Sequence, residues 1–503
     1  MGSGTVLSIF VVVISGLYLG FMIGTTSIVQ VFQSNIANCS MYTGPASCYA
    51  IATTAHGTGC VWNATMARCL FTDGIICDGV NATVNKTLDR SLFDEKCVEI
   101  QGMWHHKAGW TPAQLGLFGA ISSASSLIAC PLAERILATR GRHVANSLMG
   151  ILGVVGSLLV CGSFIADSFA FALVGRVVVG TSTFFVVICC PTFVGEYAPW
   201  KKRKTIVSFF QIAITFGIFF IALIGFILHH TIDWATVDDM VWRLEIAVGL
   251  NLLGALGCLA FGVVGWMADI KPDVEVDASI PVLDETQRLN ASASDAKPTE
   301  TTTPHASAPL WKQVCVAVFL PFSQQFSGIN AMITYAPLVA VAAGFTPAEA
   351  TVLVMLWNFI LALVAGPLNR KSGFRLAYLS GIFSAGIGNI IMAVALTVLS
   401  GTTRKYAAAA ASFAIITAFE LGIGLTYWPL ASRAFYPPYV DRGTALVFLC
   451  ESVFSFASNF GYPVVAAASA EYGQTLCFGL FAVVSFISLL VLRPTLPRNT
   501  EYG

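Results

Sequence analysis

Apolar residues run in long blocks along this chain, separated by short polar segments instead of alternating with them. Twelve blocks reach the roughly 20 mostly apolar residues that a helix needs to cross the hydrocarbon core of a bilayer. They lie near 5–32, 112–137, 144–167, 169–196, 205–228, 242–268, 311–342, 347–368, 376–400, 406–432, 441–468 and 472–492. Lipid offers no partner to a backbone N–H or C=O, and a helix satisfies both internally. The pattern therefore predicts an all-α membrane protein with twelve transmembrane helices. The first block lacks a basic leading region and a small-residue cleavage site, so it reads as a retained helix and not as a signal peptide.

Two long polar stretches divide the pattern. The expected order is a first helix in 1–32, a loop at 33–111, the rest of an N-terminal half at 112–268, a linker at 269–310, a C-terminal half at 311–492 and a tail at 493–503. The linker is rich in Ser, Thr, Asp, Pro and Ala, a composition that does not bury a core. Six helices on each side of it suggest two related halves with a site between them at mid-membrane depth.

Composition agrees with a bilayer as the surrounding medium. Hydrophobic residues make up 56% of the chain and charged residues 11%, and the net charge of zero points away from nucleic acid. The basic residues set an orientation. Arg140, Arg142, Lys201–Lys204, Arg370, Lys371, Arg375 and Arg442 fall in loops on one side, with Arg493 and Arg498 in the tail. That side is expected to be cytoplasmic and to hold both termini, in a multi-pass protein of the plasma membrane. The loop at 33–111 is then extracellular. It carries Cys39, Cys48, Cys60, Cys69, Cys77 and Cys97, read as three disulfides of open connectivity. Its acceptor sequons at Asn63, Asn81 and Asn85 are the expected glycosylation sites, Asn38 standing too close to the first helix. The other eight cysteines fall in apolar blocks and read as small buried hydrophobes. No third ligand stands at zinc spacing from the histidine pairs, so neither metal nor cofactor is expected. With no catalytic cluster at the membrane face, neither an Asp-rich motif nor a phosphate-cradling glycine loop, a membrane enzyme is disfavoured.

Polar residues inside the blocks carry the remaining information. Gln324-Gln325-Phe326-Ser327-Gly328-Ile329-Asn330 puts three amides at mid-membrane depth in the seventh block. On a continuous helix turning about 100° per residue they spread over one broad flank. Amides supply donors and acceptors together, which suits a neutral ligand rich in hydroxyl groups. Gln211, Asn358, Glu420 and Trp428 are further polar or amphipathic positions. Taken alone, a membrane amide reads as interhelical glue ahead of ligand at about two to one. Glu420 reads evenly as a structural or a binding acid.

Set in order, these residues resemble the sugar porter family of the major facilitator superfamily. The seventh-block stretch is similar to that family's Q-Q-x-S-G-I-N motif. Gly175-Arg176, Pro191, Gly195-Glu196 and Arg203 resemble its fourth-helix end, with Gln211 eight residues beyond. Phe419-Glu420 and Trp428 resemble its tenth-helix stretch. The cysteine-rich first loop and segments such as Tyr335-Ala336-Pro337, Trp357-Asn358-Phe359 and Phe435–Pro438 resemble the kinetoplastid hexose transporters more closely. The resemblance implies a sugar site of Gln211, Gln324, Gln325, Asn330, Asn358, Phe419, Glu420 and Trp428. It implies an inner charge network of Arg176, Glu196, Arg203 and Arg442, and alternating access by a monomeric unit. The sequence departs from the family where Leu425 and Tyr427 stand in place of prolines, and where Arg433 follows the tenth helix. Since block 5–32 contains no Asp, Glu, His, Lys or Arg, a facilitative carrier of hexose, glucose first, is expected. The alternatives are a proton-coupled hexose symporter and a non-transporting sugar sensor.

Overall fold

The computed structural model describes residues 3–40, 59–63, 68–72, 110–166, 168–198, 200–230, 237–267, 309–431, 434–435, 440–469 and 472–496. The helices, in chain order, are α1 (Ser3–Ser40), α2 (Pro112–Ala124), α3 (Ser126–Arg140), α4 (Arg142–Ile165), α5 (Phe169–Tyr197), α6 (Trp200–His230) and α7 (Val237–Met267) in the first half. The second half holds α8 (Leu310–Gln325), α9 (Ile329–Ile333), α10 (Ala336–Ala343), α11 (Pro347–Ser372), α12 (Phe374–Thr397), α13 (Gly401–Ala418), α14 (Leu425–Ala431), α15 (Val440–Ala468) and α16 (Gly473–Thr495). Among the described residues ten helical stretches are long and apolar enough to cross a membrane, or eleven if a bent pair counts as one span.

Local sequence explains the main boundaries. Thr111 caps α2 in a reciprocal box with Gln114, and Pro112 occupies the first turn where its missing N–H costs nothing. Gly141 and Gly373 stand at matching places in the two halves, each between one helix and the next. Their φ values of 80° and 74° with extended ψ belong to a region that only glycine enters easily. The reversal therefore recurs with the same residue in both halves.

Three expectations need correction. First, α1 does not stop near residue 32 but continues to Ser40, carrying Asn38 and Cys39 on its last turns. Second, the seventh block is not one helix. It breaks after Gln325, and the axis bends by 69° between Leu310–Ile333 and Ala336–Ala343. Third, the stretch read as loop throughout carries some regular structure, while the all-α class itself stands. Within 33–111, β1 (Gly59–Asn63) and β2 (Arg68–Thr72) form an antiparallel hairpin in which Cys69 opposes Trp62 and Cys60 opposes Phe71. Cys48, Cys77, Cys97, Asn81 and Asn85 lie outside the described residues.

Each half has its own apolar core. Tyr18, Phe118, Phe185 and Met149 anchor the first, and Tyr335, Tyr378, Phe478 and Ile415 the second. Between the halves the contacts are fewer and more polar. Ser123 Oγ lies 2.8 Å from Ser455 Oγ, and Ser126 pairs with Ser452, joining α2 and α3 to α15. The Gln30 amide of α1 donates to the Thr334 carbonyl at 2.9 Å. Phe359 of α11 packs against Phe216 and Phe219 of α6, with ring centroids at 5.2 and 6.0 Å.

Candidate functional site

The helix break at Phe326–Gly328 creates the centre of the site. Gly328 takes φ 92°, a left-handed conformation open to glycine, and α9 restarts from it. The turn is held from behind by Asn389 of α12, whose side-chain amide donates to the Ser327 carbonyl at 2.9 Å. Because the helix is interrupted here, Asn330 does not sit on a flank shared with Gln324 and Gln325. It folds back, and its amide donates to Gln325 Oε1 at 2.8 Å and to the Gln325 carbonyl at 3.2 Å. Ser458 of α15 donates to the same carbonyl at 3.0 Å.

The network continues into a carboxylate. Gln325 Nε2 donates to Glu451 Oε1 at 2.5 Å, and Tyr427 Oη donates to Glu451 Oε2 at 2.6 Å. Glu451, Ser458 and Tyr427 were not among the expected site residues. The available signal was Glu451 itself, since a lone acid within an apolar block is a functional candidate by default. Tyr427 had been noticed only as a replacement for proline.

A second polar group lies across the interface. Glu420 is carried by a single π-helical turn, Phe419–Gly424, which joins α13 to α14 without ending the helix. Such a turn rotates one side chain out of α-helical register and is found mostly at functional sites. Gly422 makes room for it, since a Cβ there would lie 2.5 Å from the Cα of Gly381. The Glu420 side chain is 1% exposed, and Gln211 of α6 lies next to it, so one residue of each half contributes to this contact. Glu420 Oε2 has no partner among the described residues. Phe419 is buried at the same turn.

Asn358 is the most unusual member. It is 0% exposed, yet neither its Oδ1 nor its Nδ2 meets a protein partner among the described residues. An unsatisfied buried amide costs about 1–3 kcal/mol. Its neighbour Trp357 is satisfied, donating to Thr417 at 3.1 Å. Gln324 Oε1 is likewise buried without a partner.

The expected charge network is less well represented. Arg176 is buried inside the first half, not at a helix end. Its guanidinium donates to the carbonyls of Phe118 and Met22 at 3.1 and 3.2 Å and to the hydroxyls of Thr26 and Ser122 at 3.2 and 3.4 Å. It also lies 4.7 Å from the centre of the Phe118 ring. These partners make it a tie between α1, α2 and α5. The side chains of Glu196, Arg203, Arg442 and Trp428 lie outside the described residues, although the backbone of each is helical.

The arrangement offers donors and acceptors from α6, α8, α9, α11 and the π turn around one interface, with aromatic rings at its edge. That combination is chemically suited to a neutral polyhydroxylated ligand. A family model described as "Sugar (and other) transporter" matches residues 8–498. The "Glucose transporter HT1" of Trypanosoma vivax is 29% identical over 408 residues, covering 79% of this chain and 72% of the relative. The "Glucose transporter 2A" of Trypanosoma brucei brucei is 26% identical over 494 residues, covering 95% and 85%. Among solved structures, a crystal structure of a D-xylose-proton symporter aligns with a TM-score of 0.67 at 16% identity, covering 99% of both chains. The inward-open xylose transporter XylE from E. coli gives 0.65 at 16% identity, covering 97% and 95%.

Proposed function

The chain belongs to the sugar (and other) transporter family, and on that premise we propose that it is a facilitative hexose carrier with glucose as its first substrate. The observation that carries this reading is the fully buried, unpartnered amide of Asn358 in α11, together with the approach of Gln211 to Glu420 across the two halves. A sugar hydroxyl both donates and accepts, so it satisfies what the protein leaves open there. Relatives named as glucose transporters in two trypanosome species support glucose over other hexoses.

Transport proceeds by alternating access. The halves pivot about the polar interface, and sugar drives closure only because the occluded state binds it more tightly than the open ones. Gln211, Gln324, Gln325, Asn330, Asn358, Glu420 and Trp428 contact the sugar, and Phe419 flanks it. Glu196, Arg203 and Arg442 form the inner charge network. In this reading the helices make twelve crossings in a monomeric unit of the plasma membrane, with both termini cytoplasmic. The loop at 33–111 is an extracellular cap with three disulfides and glycans at Asn63, Asn81 and Asn85.

Passive transport is favoured because α1 carries no Asp, Glu, His, Lys or Arg over its 38 residues. A second reading, proton symport, is favoured by Glu420 and Glu451, two acids within the polar interface. Counter-flow of labelled glucose into vesicles tests carriage itself. Accumulation only to equilibrium, without alkalinisation of the medium, is expected of the passive carrier. Accumulation above it establishes the symporter instead. Competition by a series of hexoses against labelled glucose then ranks the substrates.

A further inference from the structure

The hydrogen bonds around Gln325 fix which end of its amide faces which neighbour. The Gln325 main-chain carbonyl can only accept, so the atom of Asn330 lying 3.2 Å from it must be the nitrogen. That same nitrogen lies 2.8 Å from the Gln325 side chain, which must therefore present its oxygen there. The Gln325 nitrogen is then turned toward Glu451 at 2.5 Å, and the atom it meets has to accept. The other carboxylate oxygen is occupied by the Tyr427 hydroxyl at 2.6 Å. Two donors therefore converge on one carboxylate, an arrangement that the ionised form satisfies fully.

From this chain we infer that Glu451 is the positioning and specificity-determining residue that locks the orientation of the Gln325 amide. A primary amide has nearly the same shape with its oxygen and nitrogen exchanged. Asn330 and Glu451 hold the two ends from opposite sides, one as donor and the other as acceptor. With both in place, Gln325 keeps one N–H and one lone pair in known directions for a sugar hydroxyl. Without the acceptor on α15, the nitrogen end of the amide loses its partner and only the oxygen end stays held by Asn330, so the N–H and lone pair no longer keep one direction. Discrimination at that hydroxyl is then lost, while binding of the rest of the sugar remains. This role rests on the sugar-site reading above, since Gln325 is the ligand through which Glu451 acts.

Competition of labelled glucose uptake by the set of monodeoxyglucoses tests the assignment in the full-length protein. In the wild type one hydroxyl, the one facing Gln325, is expected to cost about tenfold in affinity when removed. In Glu451→Met the penalty at that position is expected to fall below about threefold, with penalties at the other positions unchanged. Glu451→Gln keeps an acceptor oxygen for Gln325 and an N–H for the Tyr427 oxygen, so it is expected to retain the wild-type profile. A Glu451→Met protein that keeps the wild-type profile overturns the inference, as does a Glu451→Gln protein that loses it. Should Glu451→Met fail to reach the membrane, Glu451→Leu and Glu451→Gln carry the same two outcomes. A wild-type protein with no glucose counter-flow overturns the functional reading instead, so the two failures are distinct.

Discussion

Asn330 and Gln325, five residues apart, are joined side chain to side chain at 2.8 Å across a break in the seventh span. On an unbroken helix residues five apart point about 140° from one another and cannot pair in this way. The pairing therefore depends on Gly328 and its φ of 92°. An alanine there would bring its Cβ to 2.5 Å from Asn389 Oδ1, in addition to about 1–2 kcal/mol for left-handed backbone. Gly328→Ala is expected to lower the melting temperature in detergent and to abolish glucose uptake. A variant with wild-type melting and uptake would show that the break is not needed.

Asn358 separates stability from function. Its amide is fully buried and unpartnered among the described residues, so leucine, of similar volume, removes about 1–3 kcal/mol of desolvation penalty. Asn358→Leu is expected to melt at or above the wild-type temperature while its affinity for glucose falls about tenfold or more. Thermal melting and uptake kinetics on the same preparation check both halves of the statement. If stability falls instead, Asn358 is structural glue.

The membrane class and the approximate place of the long apolar helices were legible because lipid demands long apolar runs, which dominate composition. The amides proposed to face the sugar were legible from their order along the chain. The break at Gly328 was not, since one glycine in an apolar run is common and only the positive φ distinguishes it. The π turn at Glu420 escaped for a related reason: an extra residue in one helical turn leaves no periodic trace in a run that is apolar on all sides. Glu451 was visible as an acid in a lipid-soluble block, but its role depends on Gln325, which is far away in sequence and meets it only in the fold. Arg176 shows the converse. Its motif suggested a gate, whereas the residues that surround it are carbonyls and hydroxyls contributed by α1 and α2.

That environment makes a specific prediction for Arg176. Removing the guanidinium leaves four acceptor groups of α1 and α2 without this donor, inside the first half. Arg176→Met is expected to destabilise the protein by about 2 kcal/mol or more and to reduce the amount reaching the membrane. The affinity for glucose of the molecules that do arrive is expected to stay near wild type. A gate residue would behave in the opposite way, with normal stability and altered turnover.

The hydroxyl seam between α2 and α15 gives the most direct test of motion between the halves. Ser123 and Ser455 lie with their Oγ atoms 2.8 Å apart, and Gly116 lets the same helices approach so closely that a Cβ would stand 2.7 Å from the Phe460 carbonyl. Hydroxyl pairs of this kind are weak, about 1 kcal/mol each net, so they hold the halves together and still release them. A covalent link at the same place does not release. Ser123→Cys combined with Ser455→Cys places two thiols where the hydroxyls meet, and oxidation is expected to join them. If alternating access requires the seam to part, the oxidised double variant loses glucose flux while each single variant keeps it, and a reductant restores transport. Uptake measured before oxidation, after it and after reduction separates this from simple damage. Flux that survives a complete cross-link would mean that the halves do not part here, and that the gating movement lies on another pair of helices.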